Sequence, residues 1–241
     1  MKKSKIFTYQ VFGPRALFSD PIVRIGGEKT SYHFPTYQAL KGITESIYWK
    51  PSLIWRVLRV RIMNPIQTES VGIRPMKYSS DGNELAYYTY LKDVCYKVQV
   101  QFEFNPYRPE FKHDWNIQKH EAIFERSLKK GGRRDIFLGT RECQGYVLPT
   151  IFDEEEGAFD AIEELSYGLQ YHSLIYPDEA PPTDDHNPVI ITNLWFPIMR
   201  KGVIDFPAPE DCEIRRSSDT VPPKVFDASP CTDIENGVMD A

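Results

Sequence analysis

The chain has 241 residues, of which 41% are hydrophobic and 26% charged; this excludes a peptide-sized scaffold and indicates a globular protein of one large or two small domains. No apolar run approaches the roughly 20 residues of a membrane span, and the N-terminus MKKSKIF lacks the apolar stretch of a signal peptide. We therefore expect a cytoplasmic protein with no membrane partner. Four widely spaced cysteines favour reduced thiols over a disulfide or zinc site.

The net charge of −5 is distributed unevenly along the chain. Residues 1–149 contain 24 Lys and Arg against 14 Asp and Glu, whereas residues 150–241 contain 5 against 20. The first part is therefore basic enough to bind phosphates, and the acidic part is expected to face elsewhere.

The first half of the chain predicts two strands and a helix in the order β-α-β. Residues 5–12 predict a strand that ends at Gly13-Pro14. Pro35 can begin a helix that places Leu40, Ile43 and Ile47 on one face and ends at Lys50-Pro51. A second strand over Ser52 to Asn64 carries interleaved arginines. Residues 66–86 read as a long loop with a possible hairpin at Asp81-Gly82.

The following residues predict a second β-α-β order. Residues 87–104 alternate strictly and form the clearest strand, with one face made of Val94, Tyr96, Val98, Val100, Phe102 and Phe104. Residues 115–130 predict a helix capped by Asp114 or Asn116, with Ile117, Phe124 and Leu128 on one face. Gly131 can end it in the left-handed conformation. A short strand starts at Asp135, and Thr140 to Val147 extend it or pair with it.

The resulting β-α-β-β-α-β order predicts an α+β protein whose N-terminal domain, residues 1–149, is ferredoxin-like as in RNA-recognition folds. Both helices would lie on one face of an antiparallel sheet and leave the other face free for a ligand. Residues 150–206 predict a small β-rich C-terminal domain. Residues 207–241 are rich in Pro, Asp and Ser and predict a mobile tail.

The densest chemistry lies in residues 115–147. The loop after the second helix carries Gly131, Gly132, Arg133 and Arg134, an arrangement that can hold backbone phosphates. Further candidates for RNA contact are Arg141, Arg74 and Lys77, although exposed basic residues are often simply solvated.

Three other side chains have both a chemical and a plain structural interpretation. His120 is suited to proton transfer near neutral pH, or it is a half-buried histidine satisfied by a carbonyl. Lys119 points to solvent or a groove. Tyr48 lies beside the apolar stripe of the first helix, so it is a cleft-facing hydroxyl or an aromatic wedge.

The segments VFGPRALFSDP, GITESIYWKPSLIW and KHEAIFERSLKKGGRRDIFLGTRECQGYV resemble a CRISPR-associated protein of family five in its type I-C form, subtype d, within the RAMP superfamily. The resemblance covers roughly residues 5–206. It implies an endoribonuclease that cleaves the hairpin repeat of precursor CRISPR RNA without a metal or other cofactor. It further implies that the protein stays bound to the 5′ handle of the mature RNA, beside the backbone and large subunits of the type I-C interference complex.

By motif match, the family's catalytic tyrosine, lysine and histidine correspond to Tyr48, Lys119 and His120. Metal-free cleavage uses the 2′-hydroxyl as nucleophile and leaves a 2′,3′-cyclic phosphate and a 5′-hydroxyl. Lys119 is better suited to a fixed charge than to a base. Either Tyr48 or His120 can be the general base.

Two rival functions remain open at this point. A non-catalytic RNA-binding scaffold that caps the handle would not need the Tyr48, Lys119 and His120 set. A metal-dependent DNA nuclease would need clustered carboxylates, for which the run Asp153 to Glu156 is the candidate, although a solvated acidic loop is the simpler interpretation.

Overall fold

A computed structural model describes residues 3–21, 27–75, 85–179 and 190–218. Its two α-helices are α1 (Tyr37–Ile47) and α2 (Ile117–Lys129). The strands are β1 (Phe7–Ala16), β2 (Lys29–Thr30), β3 (Leu53–Ile62), β4 (Thr68–Ile73), β5 (Ala86–Phe104), β6 (Ile136–Phe137), β7 (Gln144–Pro149), β8 (Leu165–Ser166), β9 (Gln170–Ile175), β10 (Ile190–Trp195), β11 (Ile198–Arg200), β12 (Val203–Asp205) and β13 (Ile214–Ser218). None of the helices in the described ranges is long and apolar enough to cross a membrane.

The 19-residue strand β5 is the centre of the large sheet. It pairs antiparallel with β1 on one side and β3 on the other, and β7 continues the sheet beyond β1. The full path is β6-β7-β1-β5-β3-β12-β11-β8, with β2 and β4 also paired to β5. The predicted strand over residues 87–104 and the mixed α+β class with mainly antiparallel pairing are confirmed.

Both helices pack on the same face of this sheet. The Phe124 ring of α2 lies 4.7 Å from the rings of Phe7 and Trp55. The Tyr9 hydroxyl on β1 bonds to Thr44 of α1 at 2.8 Å. The predicted apolar faces are buried here, namely Leu40, Ile43 and Ile47 on α1, Phe124 and Leu128 on α2, and the six alternating residues of β5, while Ile117 of α2 is only partly buried against the same core.

Residues 68–73 correct the sequence analysis. They form β4, which pairs antiparallel with Ala86–Leu91 of β5, where a long loop was predicted. A polar strand of this kind gives little signal, because only its partner strand stabilises it. Strand β1 also runs through Gly13-Pro14 instead of ending there. The hairpin predicted at Asp81-Gly82 lies outside the described residues.

The sheet face opposite the helices is partly covered, whereas the sequence analysis expected it to be free. Lys97 on this face is fully buried; its ammonium group donates to the Ile151 carbonyl at 3.0 Å and lies 3.2 Å from Glu155. Arg61 pairs with Asp153 and Asp160. The acidic run, interpreted as a solvated loop or a candidate metal cluster, is largely exposed, with the Asp153 and Glu155 side chains 79% and 64% accessible, and it also supplies partners for basic side chains of the sheet. Residues after position 150 therefore cover part of this face and neutralise its basic side chains.

The strands after residue 150 are divided between two sheets. Strand β12 pairs with β3, so β12, β11 and β8 extend the large sheet. Strands β13, β10 and β9 form a separate three-stranded sheet. Paired structure thus reaches Ser218, inside the segment assigned to a mobile tail, while the domain boundary at 149/150 stays a prediction. Cys95, Cys143 and Cys212 are free thiols.

Candidate active site

Tyr48 lies directly after α1 and faces the interior. It is the C-terminal cap of the helix, its amide donates to the Thr44 carbonyl, and its backbone is extended. Its own carbonyl accepts from the Trp55 indole at 2.9 Å. The side chain is fully buried. The sequence placed Tyr48 on the helix beside the apolar stripe; leaving the helix turns its ring toward α2.

His120 meets Tyr48 from the first turn of α2. Asn116 caps this helix by accepting from the Lys119 amide at 3.1 Å, one of the two caps predicted. The His120 Nδ1 lies 2.8 Å from the Tyr48 hydroxyl, and its Nε2 lies 2.8 Å from the Asp114 carbonyl. A carbonyl only accepts, so Nε2 carries hydrogen and, in the neutral ring, Nδ1 accepts from Tyr48. His120 is therefore a fully buried histidine with a partner at each nitrogen.

Asp114 joins Lys119 to this pair. Its carboxylate contacts the Lys119 ammonium group and the Ser52 hydroxyl, the latter at 3.0 Å, and lies 3.5 Å from His120 Nε2. Burial alone would raise the pKa of Asp114, but the hydrogen bonds from Lys119 and Ser52 outweigh it and hold the pKa below its usual value. The Lys119 side chain stays half exposed. Sequence reasoning considered Asp114 only as a helix cap; as the sole carboxylate between Glu110 and Glu121, it was the natural partner for Lys119.

Arg133 covers the Tyr48 ring. Its guanidinium carbon lies 4.7 Å from the ring centroid, while the arginine itself is exposed. Burial raises the pKa of Tyr48. The nearby Arg133 cation lowers this pKa, and the negative charge of Asp114 raises it further. The net effect is a raised pKa, so the Tyr48 hydroxyl keeps its proton at neutral pH.

The double glycine sets the position of Arg133 and Arg134. Gly131 and Gly132 have φ of 84° and 107°, and their amides donate to the Leu128 and Ser127 carbonyls. This pair of bonds is a Schellman ending of α2, as Gly131 predicted. The amides of Arg133 and Arg134 then both donate to the Ser46 carbonyl, which fixes the loop against the last turn of α1.

The loop lines an open groove of about 390 Å³ beside the Tyr48 pair. Its walls are Lys130, Gly131, Gly132, Arg133, Arg134, Asp135, Ile136, Gln144, Gly145 and Tyr146. Within the described part of the chain, no carboxylate lies within 4 Å of the side-chain nitrogens of Lys130, Arg133 and Arg134. The groove is thus a basic depression next to the candidate catalytic residues.

The remaining RNA-binding candidates lie apart from this groove. Arg141 is exposed in the turn between β6 and β7 and does not line it. Arg74 follows β4, whose last pair is Ile73 with Ala86, whereas Phe104 at the other end of β5 contacts His120. The 19 residues of β5 span roughly 60 Å if straight. Lys77 lies outside the described residues.

A buried charged cluster supports the end of α1. The Lys41 ammonium group lies 2.6 Å from both carboxylate oxygens of Glu179 and 3.9 Å from Glu45. The pKa of Glu45 is raised to about 7, mainly by burial. The cations Lys41 and Arg134 lower this pKa, and the carboxylates Glu179 and Asp178 raise it. Glu45 is therefore partly protonated near neutral pH.

Glu45→Gln is expected to stabilise the protein at pH 8. Because the folded pKa of about 7 exceeds the ordinary 4.5, the contribution of Glu45 to stability is present below pH 4.5 and is lost as pH rises through 7. The glutamine side chain cannot ionise, so it avoids this loss of stability, which is worth roughly 1–2 kcal/mol after allowance for partial exposure. Thermal melts should show a higher Tm than wild type at pH 8 and no difference near pH 4.5. Glu163→Gln, at an exposed position, is the control and should change the Tm little. An unstabilised Glu45→Gln at pH 8 would contradict the expectation.

Comparison with known proteins identifies the family of this chain. A family model described as "CRISPR-associated protein (Cas_Cas5)" matches residues 6–207. The chain belongs to this family, in its Cas5d group. The family resemblance noted from the sequence motifs is thereby confirmed.

Two curated relatives and two solved structures are similar to most of the chain. "CRISPR pre-crRNA endoribonuclease Cas5d" of Thermus thermophilus is 30% identical over 161 residues, covering 63% of this chain and 67% of that protein. The protein of the same name from Mannheimia succiniciproducens is 28% identical over 233 residues, covering 86% and 96%. A crystal structure of a CRISPR-associated protein has 36% identity and a TM-score of 0.75, covering 90% of this chain and 98% of that one. A functionally uncharacterized protein from Streptococcus mutans has 37% identity and a TM-score of 0.73, covering 90% and 99%.

Proposed function

We propose that this protein is an endoribonuclease that cleaves hairpin repeats of precursor CRISPR RNA without a metal. Its family and the names of its two curated relatives support RNA processing. The observation that carries the proposal is that Tyr48 bonds to His120, while His120 and Lys119 both contact Asp114, beside a basic groove. A proton relay, a half-exposed cation and a phosphate-binding loop are the parts that 2′-hydroxyl chemistry requires.

In the proposed reaction, Tyr48 and His120 act as one proton relay. The 2′-hydroxyl attacks the adjacent phosphorus and its proton passes to the Tyr48 oxygen, while the Tyr48 proton passes to His120 Nδ1. The P–O5′ bond breaks, and the departing oxygen takes a proton from water. The hydroxide left behind is neutralised by the proton held on His120, which restores the relay. The products are a 2′,3′-cyclic phosphate and a 5′-hydroxyl. Because His120 accepts the proton in the same step, no free phenolate forms despite the raised pKa of Tyr48.

Lys119 supplies the cation in this scheme. Its ammonium group is held by Asp114 but stays half exposed, so it can contact a phosphate oxygen of bound RNA. Negative charge builds up on the non-bridging oxygens as the 2′-oxygen attacks, and a fixed ammonium group stabilises that charge.

Access to Tyr48 requires Arg133 to move. Tyr48 and His120 have no exposed surface, and Arg133 lies over the Tyr48 ring. Arg133 is exposed and has no carboxylate partner among the described residues, so a phosphate in the groove competes only with the ring for its guanidinium. RNA binding would thus uncover the residue that acts on it.

The fold is consistent with such a role. We propose that β1, α1, β3, β5, α2 and β7, with sheet order β7-β1-β5-β3, form a ferredoxin-like unit. We further propose that the protein retains the 5′ handle and contacts the backbone and large subunits of the type I-C interference complex, and that it acts in the cytoplasm.

The test is cleavage of an end-labelled hairpin repeat RNA in the presence of a chelator. Wild-type protein should cut at one position and leave a 2′,3′-cyclic phosphate. Lys119→Ala should slow single-turnover cleavage by about 10²–10³-fold, the effect of removing one charge-stabilising group. Lys129→Ala, an exposed lysine on the same helix, is the matched control and should cut at the wild-type rate. Loss of cutting with chelator would refute metal independence, and full activity of Lys119→Ala would refute its role.

The alternative function is a non-catalytic RNA-binding scaffold that caps the 5′ handle. The full burial of both Tyr48 and His120 favours it, because a buried pair can serve packing alone. The same experiment separates the two functions: tight binding of the hairpin RNA without any cleavage by wild-type protein would establish the scaffold and remove the catalytic roles.

A further inference from the structure

Tyr146 is an exposed aromatic residue with no evident structural role. Strand alternation turns Gly145 and Val147 toward the core and leaves Tyr146 on the outside, 54% exposed. Its ring contacts Phe12 at 5.8 Å between centroids. Its hydroxyl makes no hydrogen bond to any residue in the described ranges. The fold therefore does not use most of this ring.

The strand that carries Tyr146 becomes an open sheet edge at this residue. Strand β6 pairs only with Gln144 and Gly145. From Tyr146 onward, the outer edge of β7 faces no strand of the described chain, while its inner edge pairs with β1. Tyr146 also lines the groove, together with the glycine loop.

The cations of the groove come from the loop after α2. Lys130, Arg133 and Arg134 line the groove, and among its described lining residues Asp135 alone is acidic. Arg133 connects the groove to the candidate catalytic residues, because it lines the groove and also covers the Tyr48 ring. A strand of RNA with a phosphate on Arg133 would therefore have a neighbouring nucleotide within this depression.

We propose that Tyr146 is a stacking platform for an unpaired nucleobase of the RNA, on the strand whose phosphate Arg133 binds. A basic groove with an aromatic wall is the usual arrangement for single-stranded nucleic acid, because phosphates follow the cations and each base offers a π-face. Bases within an A-form stem are already stacked and cannot use this ring. Tyr146 thus selects hairpins that carry a single-stranded flank. The inference rests on the proposed RNA-processing function and adds a recognition residue to it.

The test compares two RNAs, the hairpin repeat with short single-stranded flanks and the same hairpin without them. Tyr146→Ala should bind the flanked RNA about 5- to 100-fold more weakly than wild type, the range for loss of one base stack. It should bind the blunt hairpin with wild-type affinity. Tyr146→Phe, which keeps the ring, should retain affinity for both RNAs. Leu148→Ala changes an exposed residue on the same face of β7 outside the groove and should leave binding unchanged.

A direct readout comes from 2-aminopurine placed in turn at each unpaired position of the flanked RNA. Stacking should quench its fluorescence at one position with wild type and Tyr146→Phe, and not with Tyr146→Ala. If wild type binds and cuts the RNA but Tyr146→Ala matches it in affinity and quenching, the platform is refuted while the proposed function stands. If wild type binds neither RNA, the proposed function itself fails.

Discussion

His120→Ala is expected to lower the cleavage rate by about 10²–10⁴-fold while RNA binding persists. The buried imidazole is the only proton acceptor that the described structure gives the Tyr48 hydroxyl, at 2.8 Å. Without it, the proton from the 2′-hydroxyl would have to remain on a tyrosine whose pKa is already raised. Single-turnover cleavage and a binding assay on the same hairpin RNA measure the two quantities separately.

Tyr48→Phe tests the other member of the same proton transfer by a smaller change. It removes only the hydroxyl and keeps the ring beneath Arg133, so the groove should be preserved and the rate should fall by a similar factor. Because both side chains serve one proton transfer, the double variant should be no slower than the slower single variant.

Tyr9→Phe is the matched control for the loss of a buried tyrosine hydroxyl. Its hydroxyl bonds to Thr44 within the same core but does not touch His120 or the groove. This variant should lose about 1 kcal/mol of stability and cut at the wild-type rate. Normal cleavage by Tyr48→Phe would eliminate the relay, and a slow Tyr9→Phe would show that any buried hydroxyl loss disturbs the site.

Phe124→Ala should lower the free energy of unfolding by about 3–5 kcal/mol. The ring is fully buried and lies 4.7 Å from both Phe7 and Trp55, so truncation leaves a cavity between α2 and the sheet. Phe124 is also one helical turn after His120, so loosening this contact should displace the imidazole from Tyr48 and slow cleavage.

Denaturant unfolding at equilibrium measures this loss of stability. Gln118→Ala, an exposed position on the same helix, is the control and should remain within about 0.5 kcal/mol of wild type. A loss of less than about 1 kcal/mol for Phe124→Ala would mean that α2 is not anchored by this ring.

The elements that sequence predicted well are those whose pattern is local. The alternation of residues 87–104, the apolar face of α1 and the glycine ending of α2 are each encoded within a few neighbouring residues. Strand β4 was missed because its polar sequence becomes a strand only through pairing with β5. The pairing of Asp153 and Glu155 with Arg61 and Lys97 was missed for the same reason.

By itself, the sequence determined the family, the main strands and helices, and the identity of Tyr48, Lys119 and His120 as candidates. Only the tertiary structure decided that the Tyr48 hydroxyl meets His120, a residue 72 positions away, and that Asp114 holds Lys119 beside them. It also decided that the pair lies buried beneath Arg133. Spacing along a chain specifies which side chains share a helix face, whereas contacts between elements depend on how the packed core brings those faces together.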